Sequence, residues 1–395
     1  MKVTSDRATE ERVGPGGGPS LEEKEQADRR RQRVKLIVGP IGVIVTIAVV
    51  GTVFQALSLY ADTIPGLLQG LIAVLAGVGG AALLFYFINM FVEGLPGRSS
   101  EGTMPYAFLL PAMLLIGVML IYPTVQTIHY SFANADSDAY VGFQNYIDVF
   151  NDPDFRESIF NNILWLIIVP AATVAIGVVV AVLADKLSKG GEQFSKSFIF
   201  MPMAISFVGA AAIWGLIYRY DPPGDAQTGL LNAAWVGFGD LFGLAMEPVV
   251  WLSVSTFSLN DLMLMLIVIW LQAGFAMILL SSAIKGVPEE TIEAARIDGA
   301  NEFQIFRQVI IPQIRGTMIT VYITVTIMVL KIFDIVYVTT NGRDGTNVIA
   351  NLFFQEIFRT GDNGISSAIV VILLIAVMPI LIYQVRHFRR EEAER

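Results

Sequence analysis

Eight stretches of this chain, residues 36–59, 67–92, 105–127, 159–184, 198–218, 262–284, 317–338 and 368–385, are each apolar over about the length of a membrane-crossing helix. A hydrocarbon core of about 30 Å needs roughly 20 residues of helix at 1.5 Å per residue. In lipid an unpaired backbone amide costs several kcal/mol, so each run must close its hydrogen bonds within itself as a helix. The expected fold class is therefore all-α: a polytopic membrane protein with eight transmembrane helices. Composition agrees, because 54% of the 395 residues are hydrophobic and 15% charged, against about 25% charged in soluble chains. A soluble globular fold is excluded.

There is no cysteine, which removes disulfides, thiolate metal sites and cysteine nucleophiles together. The net charge is -9, from 26 basic and 35 acidic residues, and no basic patch supports nucleic-acid binding. Residues 1–34 are rich in Gly, Pro, Glu and Arg and are expected to be a disordered tail. The first apolar run comes late and is long, unlike a cleaved secretory signal, so it is expected to remain as an anchor.

Basic residues collect on the cytoplasmic side of membrane helices. With the N-terminus inside, the inner flanks carry Arg29, Arg30, Arg31, Arg33, Lys35, Arg98, Lys186, Lys189, Lys196, Lys285, Arg296, Arg307, Arg315, Arg386, Arg389, Arg390 and Arg395, and the outer loops only Arg156, Arg219, Arg343 and Arg359. Both termini are thus expected in the cytoplasm. The outer loops carry acids instead: Asp136, Asp138, Asp148, Asp152, Asp154, Glu157, then Asp221, Asp225, Asp240, Glu247 and Asp261. They read either as solvated loop charges or as a docking face for an extracytoplasmic partner.

One inner loop, 285–316, is too long for a plain turn. Pro288 suits a first helical position, with Glu289 and Glu290 in the first turn, where the helix dipole favours negative charge. Gly299 supplies a left-handed helix end. Asn301 with Gln304 forms a capping box for a second short helix, which Pro312 closes. Ala294 and Ala295 would let another backbone approach, and Glu293 and Arg296 offer polar anchors. By composition alone, docking into a partner's groove and lying on lipid as an amphipathic helix stand level.

The spacing Glu293-Ala294-Ala295, Gly299, Val309, Ile311-Pro312 resembles the EAA signature of type I ABC importer permeases, E-A-A-x3-G-x9-I-x-L-P. It departs only at Val309 and Ile311, both conservative. In that family the loop couples to a cytoplasmic ATPase, which the resemblance assigns here to Glu293, Ala294, Ala295, Gly299 and Pro312. The likeness runs from about 105 to 386. Phe143-Gln144-Asn145-Tyr146 and the stretch from Phe333-Asp334 to Asn341-Gly342 resemble the maltose-like sugar branch. Leu330-Lys331 through Tyr337, with Asn347 to Asn351, is most similar to α-glucoside permeases. The implied organisation is a tail at 1–34, two extra helices within 35–104, a third helix and outer loop at 105–157, a six-helix core completed by 158–386, and a tail at 387–395.

No G-x-x-x-x-G-K-[ST] loop occurs, so ATP hydrolysis by that route must lie on another chain. Nor is there an H-E-x-x-H, and His129 and His387 suggest no metal site by spacing. Neither an enzyme nor a resident cofactor is expected. The resemblance implies two cytoplasmic ATP-binding subunits, a second permease and an extracytoplasmic solute-binding protein as partners, with a sugar as cargo. An anionic solute such as glycerol 3-phosphate would want arginines in the path, and no expected span contains one. An ATP-independent channel is the reading from another class; it would run alone where this subunit brings an ATPase.

Lys331 and Asp334 are the clear ionisable residues within a span. Three apart on one helix, they would be neighbours able to pair, facing protein or water because a lone charge there costs about 2.5–3.5 kcal/mol. Alignment on the family motifs places a candidate substrate path at Leu271, Gln272 and Phe275 before the loop, and at Val325, Met328, Val329 and Ile332 after it. Trp270, Met277 and Met328 read first as helix packing.

Overall fold

The computed structural model describes residues 21–61 and 63–393. Apart from one isolated antiparallel bridge between Ala133 and Tyr140, their regular structure is helical throughout. The chain divides into two units, Met1–Pro123 and Thr124–Arg395.

In the first unit, α1 (Leu21–Leu59) and α2 (Gly66–Glu93) pack along each other as a hairpin. One end is fastened by Lys35 Nζ to Glu93 Oε2 at 2.7 Å, with Asn89 Nδ2 donating to the other carboxylate oxygen at 2.7 Å. At the turn, Gln69 Nε2 donates to Leu57 O at 3.1 Å. The expected disorder of 1–34 is corrected in part. Met1–Ser20 lies outside the described residues, but α1 already runs from Leu21, because extending a helix that a membrane span has nucleated is far cheaper than starting one. α3 (Gly97–Ile116) likewise starts before the expected 105 and carries Pro105 and Pro111. A π-turn, Gly117–Ile121, then leads into α4 (Tyr122–Tyr130).

The second unit continues through α5 (Gln144–Asn151) to α6 (Pro153–Asp185). Asp152 caps α6, its Oδ1 accepting from Asp154 N at 2.9 Å. Pro153 stands at the first helical position, where its missing N–H costs nothing. α7 (Lys189–Phe200) and α8 (Phe207–Ile217) meet at 105°. A 3-10 turn, Met201–Ala204, and the cap on Ser206, whose Oγ accepts from Gly209 N at 3.1 Å, build this elbow. The straight span expected over 198–218 is therefore corrected: Pro202 cannot donate to a helix and Ser206 starts a new one.

After α9 (Leu230–Phe242) comes α10 (Leu259–Lys285), the centre of the unit. The loop that follows holds the short helices α11 (Glu289–Ile297), α12 (Glu302–Ile305) and α13 (Ile311–Gln313); α6 lies along α10, and α14 (Arg315–Leu330) packs on both. Trp165, Leu264, Met265, Ile267, Met277 and Leu280 are fully buried between them. Lipid is as apolar as leucine, so this core is held by close packing rather than by escape from water. Gly274 shows the principle: a Cβ there would sit 2.4 Å from the carbonyl oxygen of Ile199, so only glycine lets α7 and α10 meet backbone to backbone.

The seventh expected span, 317–338, is also corrected. α14 ends at Leu330, Phe333 adopts φ -142° and ψ -58°, and α15 (Asp334–Thr339) starts afresh. Then follow α16 (Ile349–Gln355) and α17 (Asn363–Ala393), which absorbs the tail expected from 387. Among the described residues, six helices are long and apolar enough to cross a membrane. Two bent pairs raise the number to eight if each is one crossing.

Candidate functional site

The loop between α10 and α14 holds two short helices joined at a glycine. Glu289–Ile297 is the first. Pro288 is its cap, one position earlier than expected, and Glu289 and Glu290 fill the first turn. Gly299 has φ +82°, a conformation a side chain strains. It lets Ala300 N donate to Ala295 O at 3.0 Å, which closes the helix end. The capping box is formed in full: Gln304 N donates to Asn301 Oδ1 at 2.9 Å and Asn301 N to Gln304 Oε1 at 2.8 Å. Arg296 reaches across the turn to Glu302 at 3.1 Å.

Below the box, a π-turn at Phe306–Ile310 and the short turn Ile311–Gln313, with Pro312 inside it, lead to a 68° bend into α14. Ile305 and Ile314 are buried and pin this base. The rim is open. Glu293 and Ala294 are exposed and Ala295 half-buried, while Ile297 is 86% and Phe303 68% exposed on either side of the glycine turn. Those two apolar tips were missed from sequence. Their signal is an aliphatic and an aromatic residue flanking a left-handed glycine in an otherwise polar loop.

The candidate path residues divide. Leu271, Val325, Val329 and Ile332 all belong to the main buried core, and Met328 packs against it. Gln272 and Phe275 are half-buried on α10. Trp270 and Met277 are packing residues, with Trp270 edge-on to Trp214 at 5.8 Å. Lys331 and Asp334 make no ion pair: the break between α14 and α15 removes the helical register that would have made them neighbours. Lys331 instead sits exposed at the break, and Asp334 opens α15 half-buried.

Sequence also missed a polar cluster where the loop leaves α10. Lys196 Nζ lies 2.7 Å from Asp185 Oδ1 and 2.6 Å from Glu192 Oε1, and it also bonds Ser281 Oγ. Ser281 Oγ donates to Asp185 at 2.7 Å, and Lys285 pairs with Glu192.

The opposite end of the unit is laced by buried amides. Asn161 Nδ2 donates to the carbonyls of Gly345 and Asn347 at 2.7 and 2.8 Å. Asn260 Nδ2 donates to Asp344 O at 2.7 Å. Asn232 donates to Arg219 O and Val249 O and accepts from Val249 N and Trp251 Nε1, all within 2.9–3.1 Å. Asp221 accepts from the hydroxyl and backbone of Thr228 at 2.7 and 2.8 Å. Those bonds, with Arg219 beside it, hold its carboxyl below the usual aspartate range. Asp261, counted among the outer-loop acids, is instead buried in the first turn of α10.

This helical arrangement is the fold of ABC importer membrane subunits. A chain of a bacterial ABC transporter that imports the polysaccharide alginate superposes with a TM-score of 0.62 at 19% identity, covering 74% of this chain and 99% of that one. A second structure, the alginate transporter in complex with an alginate pentasaccharide-bound periplasmic protein, gives 0.61 at 19% identity, covering 73% and 95%. At that identity the likeness shows the fold alone. Residues 173–391 match the model of the binding-protein-dependent transport system inner membrane component family, and the chain belongs to that family. An alpha-glucoside transport system permease protein of Rhizobium meliloti is 43% identical over 82% of this chain and 98% of its own length. An osmoprotective compounds uptake permease protein of Synechocystis is 45% identical over 72% and 99%, and a trehalose/maltose transport system permease protein of Thermococcus litoralis 28% over 74% and 96%. The chain is thus a multi-pass permease subunit of an ABC importer, a transport component and not an enzyme.

Proposed function

We propose that this permease passes an α-glucoside or related oligosaccharide across the cytoplasmic membrane, driven by ATP hydrolysis on two separate cytoplasmic subunits. The observation that carries the cargo class is the 43% identity to an alpha-glucoside permease over nearly the whole of that protein. A second reading, a small osmoprotective solute, rests on the comparable likeness to the Synechocystis permease. Uptake of labelled α-glucosides, with osmolytes as competitors, separates the two. Competition by disaccharides alone supports the first, and competition by osmolytes alone overturns it.

In this reading the 285–316 loop faces the cytoplasm, in keeping with the basic residues around it, and both termini lie on the same side. Ile297 and Phe303 enter a groove of an ATPase subunit, Ala294 and Ala295 permit close approach, and Glu293 anchors the polar side. Such exposed apolar tips on a rigid, capped turn suit a preformed groove. Closure of the ATPase pair on ATP draws the loop and shifts the population from inward-facing to outward-facing. A second permease completes the pathway. An extracytoplasmic binding protein delivers the sugar, as the solved alginate transporter's bound periplasmic protein suggests.

The path runs beside the break between α14 and α15. Non-helical backbone at membrane depth is tolerated where it is buried in protein or lines water, and an exposed Lys331 at that break suits a wet passage shared with a second permease. Gln272, Phe275 and Met328 are the path residues this chain leaves partly open. The buried members, Leu271, Val325, Val329 and Ile332, act by shaping the wall behind them. Substituting Glu293 or Gly299 tests the coupling role: uptake and stimulated ATP hydrolysis fall while membrane insertion persists. Unchanged uptake in both variants contradicts it.

A further inference from the structure

α7 carries no buried residue of its own, and Phe194 and Phe198 are well exposed. It is nevertheless held firmly against α10. One fastening is the backbone contact of Ile199 and Phe200 at Gly274. The other is the ion cluster, in which Glu192 takes Lys285 and Lys196 takes both Asp185 and Ser281. The contacts fall in antiparallel register, 192 with 285, 196 with 281, and 199–200 with 274. The cluster is largely shielded: the side chains of Asp185, Glu192 and Lys196 are 15–19% exposed. Removing one partner would therefore strand a poorly solvated charge.

Position gives this cluster a meaning. Lys285 is the last residue of α10, directly before the turn that starts the 285–316 loop. α7 leads through the Met201–Ser206 elbow to α8, and α8 packs against α15, the segment that follows the break at Lys331. We propose that Asp185, Glu192, Lys196 and Lys285 form a transmission joint, which makes a displacement of the loop also a displacement of α7, and so turns the α7–α8 elbow against α15. These are positioning residues, argued to act through α7 rather than by their own contact with sugar or ATPase. The proposal rests on the reading that the loop docks on an ATPase subunit. Without the joint, the loop would follow the ATPase while α7, left with the contact at Gly274 as its fastening to α10, lagged behind.

The test uses the complete transporter in proteoliposomes, with its second permease, ATPase subunits and binding protein. Because the chain has no cysteine, Asp298→Cys on the exposed loop is a single-site reporter whose thiol crosslink to the ATPase subunit records docking. In that background Lys196→Met and Lys285→Met are compared with Lys196→Arg and Lys285→Arg. Lys285 is about half exposed, so its variant remains informative if Lys196→Met fails to fold. The expected result is an intact crosslink, retained stimulated ATP hydrolysis, an unchanged sugar KM, and at least a tenfold fall in sugar moved per ATP in the Met variants. The Arg variants should recover most of it. Glu192→Gln with Lys285→Met should lose less than the sum of the two single losses, since the Glu192–Lys285 pair is broken in both. An unchanged sugar-to-ATP ratio in the Met variants, or strictly additive losses, overturns the joint. Absence of the crosslink in the reporter chain carrying no other change overturns the docking reading on which it rests.

Discussion

The two ends of the Thr124–Arg395 unit are built on opposite plans. At the 219–258 and 340–349 end, Asn161, Asn162, Asn232 and Asn260 are buried and spend their amides on backbone atoms of other segments. At the 285–316 end the base is pinned by Ile305 and Ile314, but the rim presents Ile297 and Phe303 with no covering surface. The first end is laced together by buried amides although it too exposes apolar side chains, Leu241 at 78% and Phe257 at 94%, whereas the second is a short capped turn bearing two apolar tips.

That contrast can be broken most strongly at Asn232. Asn232→Ala leaves two donors and two carbonyls without their partner, and because these groups are only part-buried it should destabilise the unit by about 1–3 kcal/mol. Thermal unfolding in detergent would show it, and an unshifted midpoint would contradict an end held by its amides. Next is Gly299→Val. The imposed left-handed residue costs about 1–2 kcal/mol locally, so folding should survive while uptake falls at least tenfold at equal membrane abundance. Asn301→Ala should cost about 1 kcal/mol by loss of the cap. It should be read as faster amide exchange confined to 300–306, with a smaller loss of uptake than Gly299→Val. The smallest effect concerns pH. Asp221 has its folded pKa lowered by Thr228 and Arg219. Its contribution is present above the unfolded aspartate value near 3.9 and is lost only as pH falls through the lower folded value. Proteolysis of the 219–228 loop should therefore change little between pH 7 and 5 and rise at more acid pH. In Asp221→Asn it should no longer follow pH.

What was legible in the sequence was local. The loop's turn is written in Gly299, Asn301 and Gln304, residues that act within a few positions of themselves, and all three do in the structure what their chemistry dictates. The apolar runs placed the helices, because hydropathy reports solvent. It does not report direction, so the elbow at Met201–Ser206 and the break at Lys331–Phe333 were read through as straight helix, although Pro202 and Ser206 carried a signal for the first. The expected Lys331–Asp334 pair failed for the same reason: spacing implies neighbours only while the helix continues. Asn161 bonds residues 184 and 186 positions away, and the ion cluster joins α6, α7 and α10, so neither could be found without the fold. The path residues were placed by family resemblance, which carries no depth, and four of the seven lie in the buried core.

The central claim is that the 285–316 loop is gripped by an ATP-hydrolysing partner. Thiol crosslinking from Ile297→Cys in native membranes tests it most directly. A single product with the ATPase subunit is expected, formed from the cytoplasmic side and altered by ATP. Crosslinking to lipid alone, or labelling of that thiol by a membrane-impermeant reagent applied outside intact cells, would contradict it.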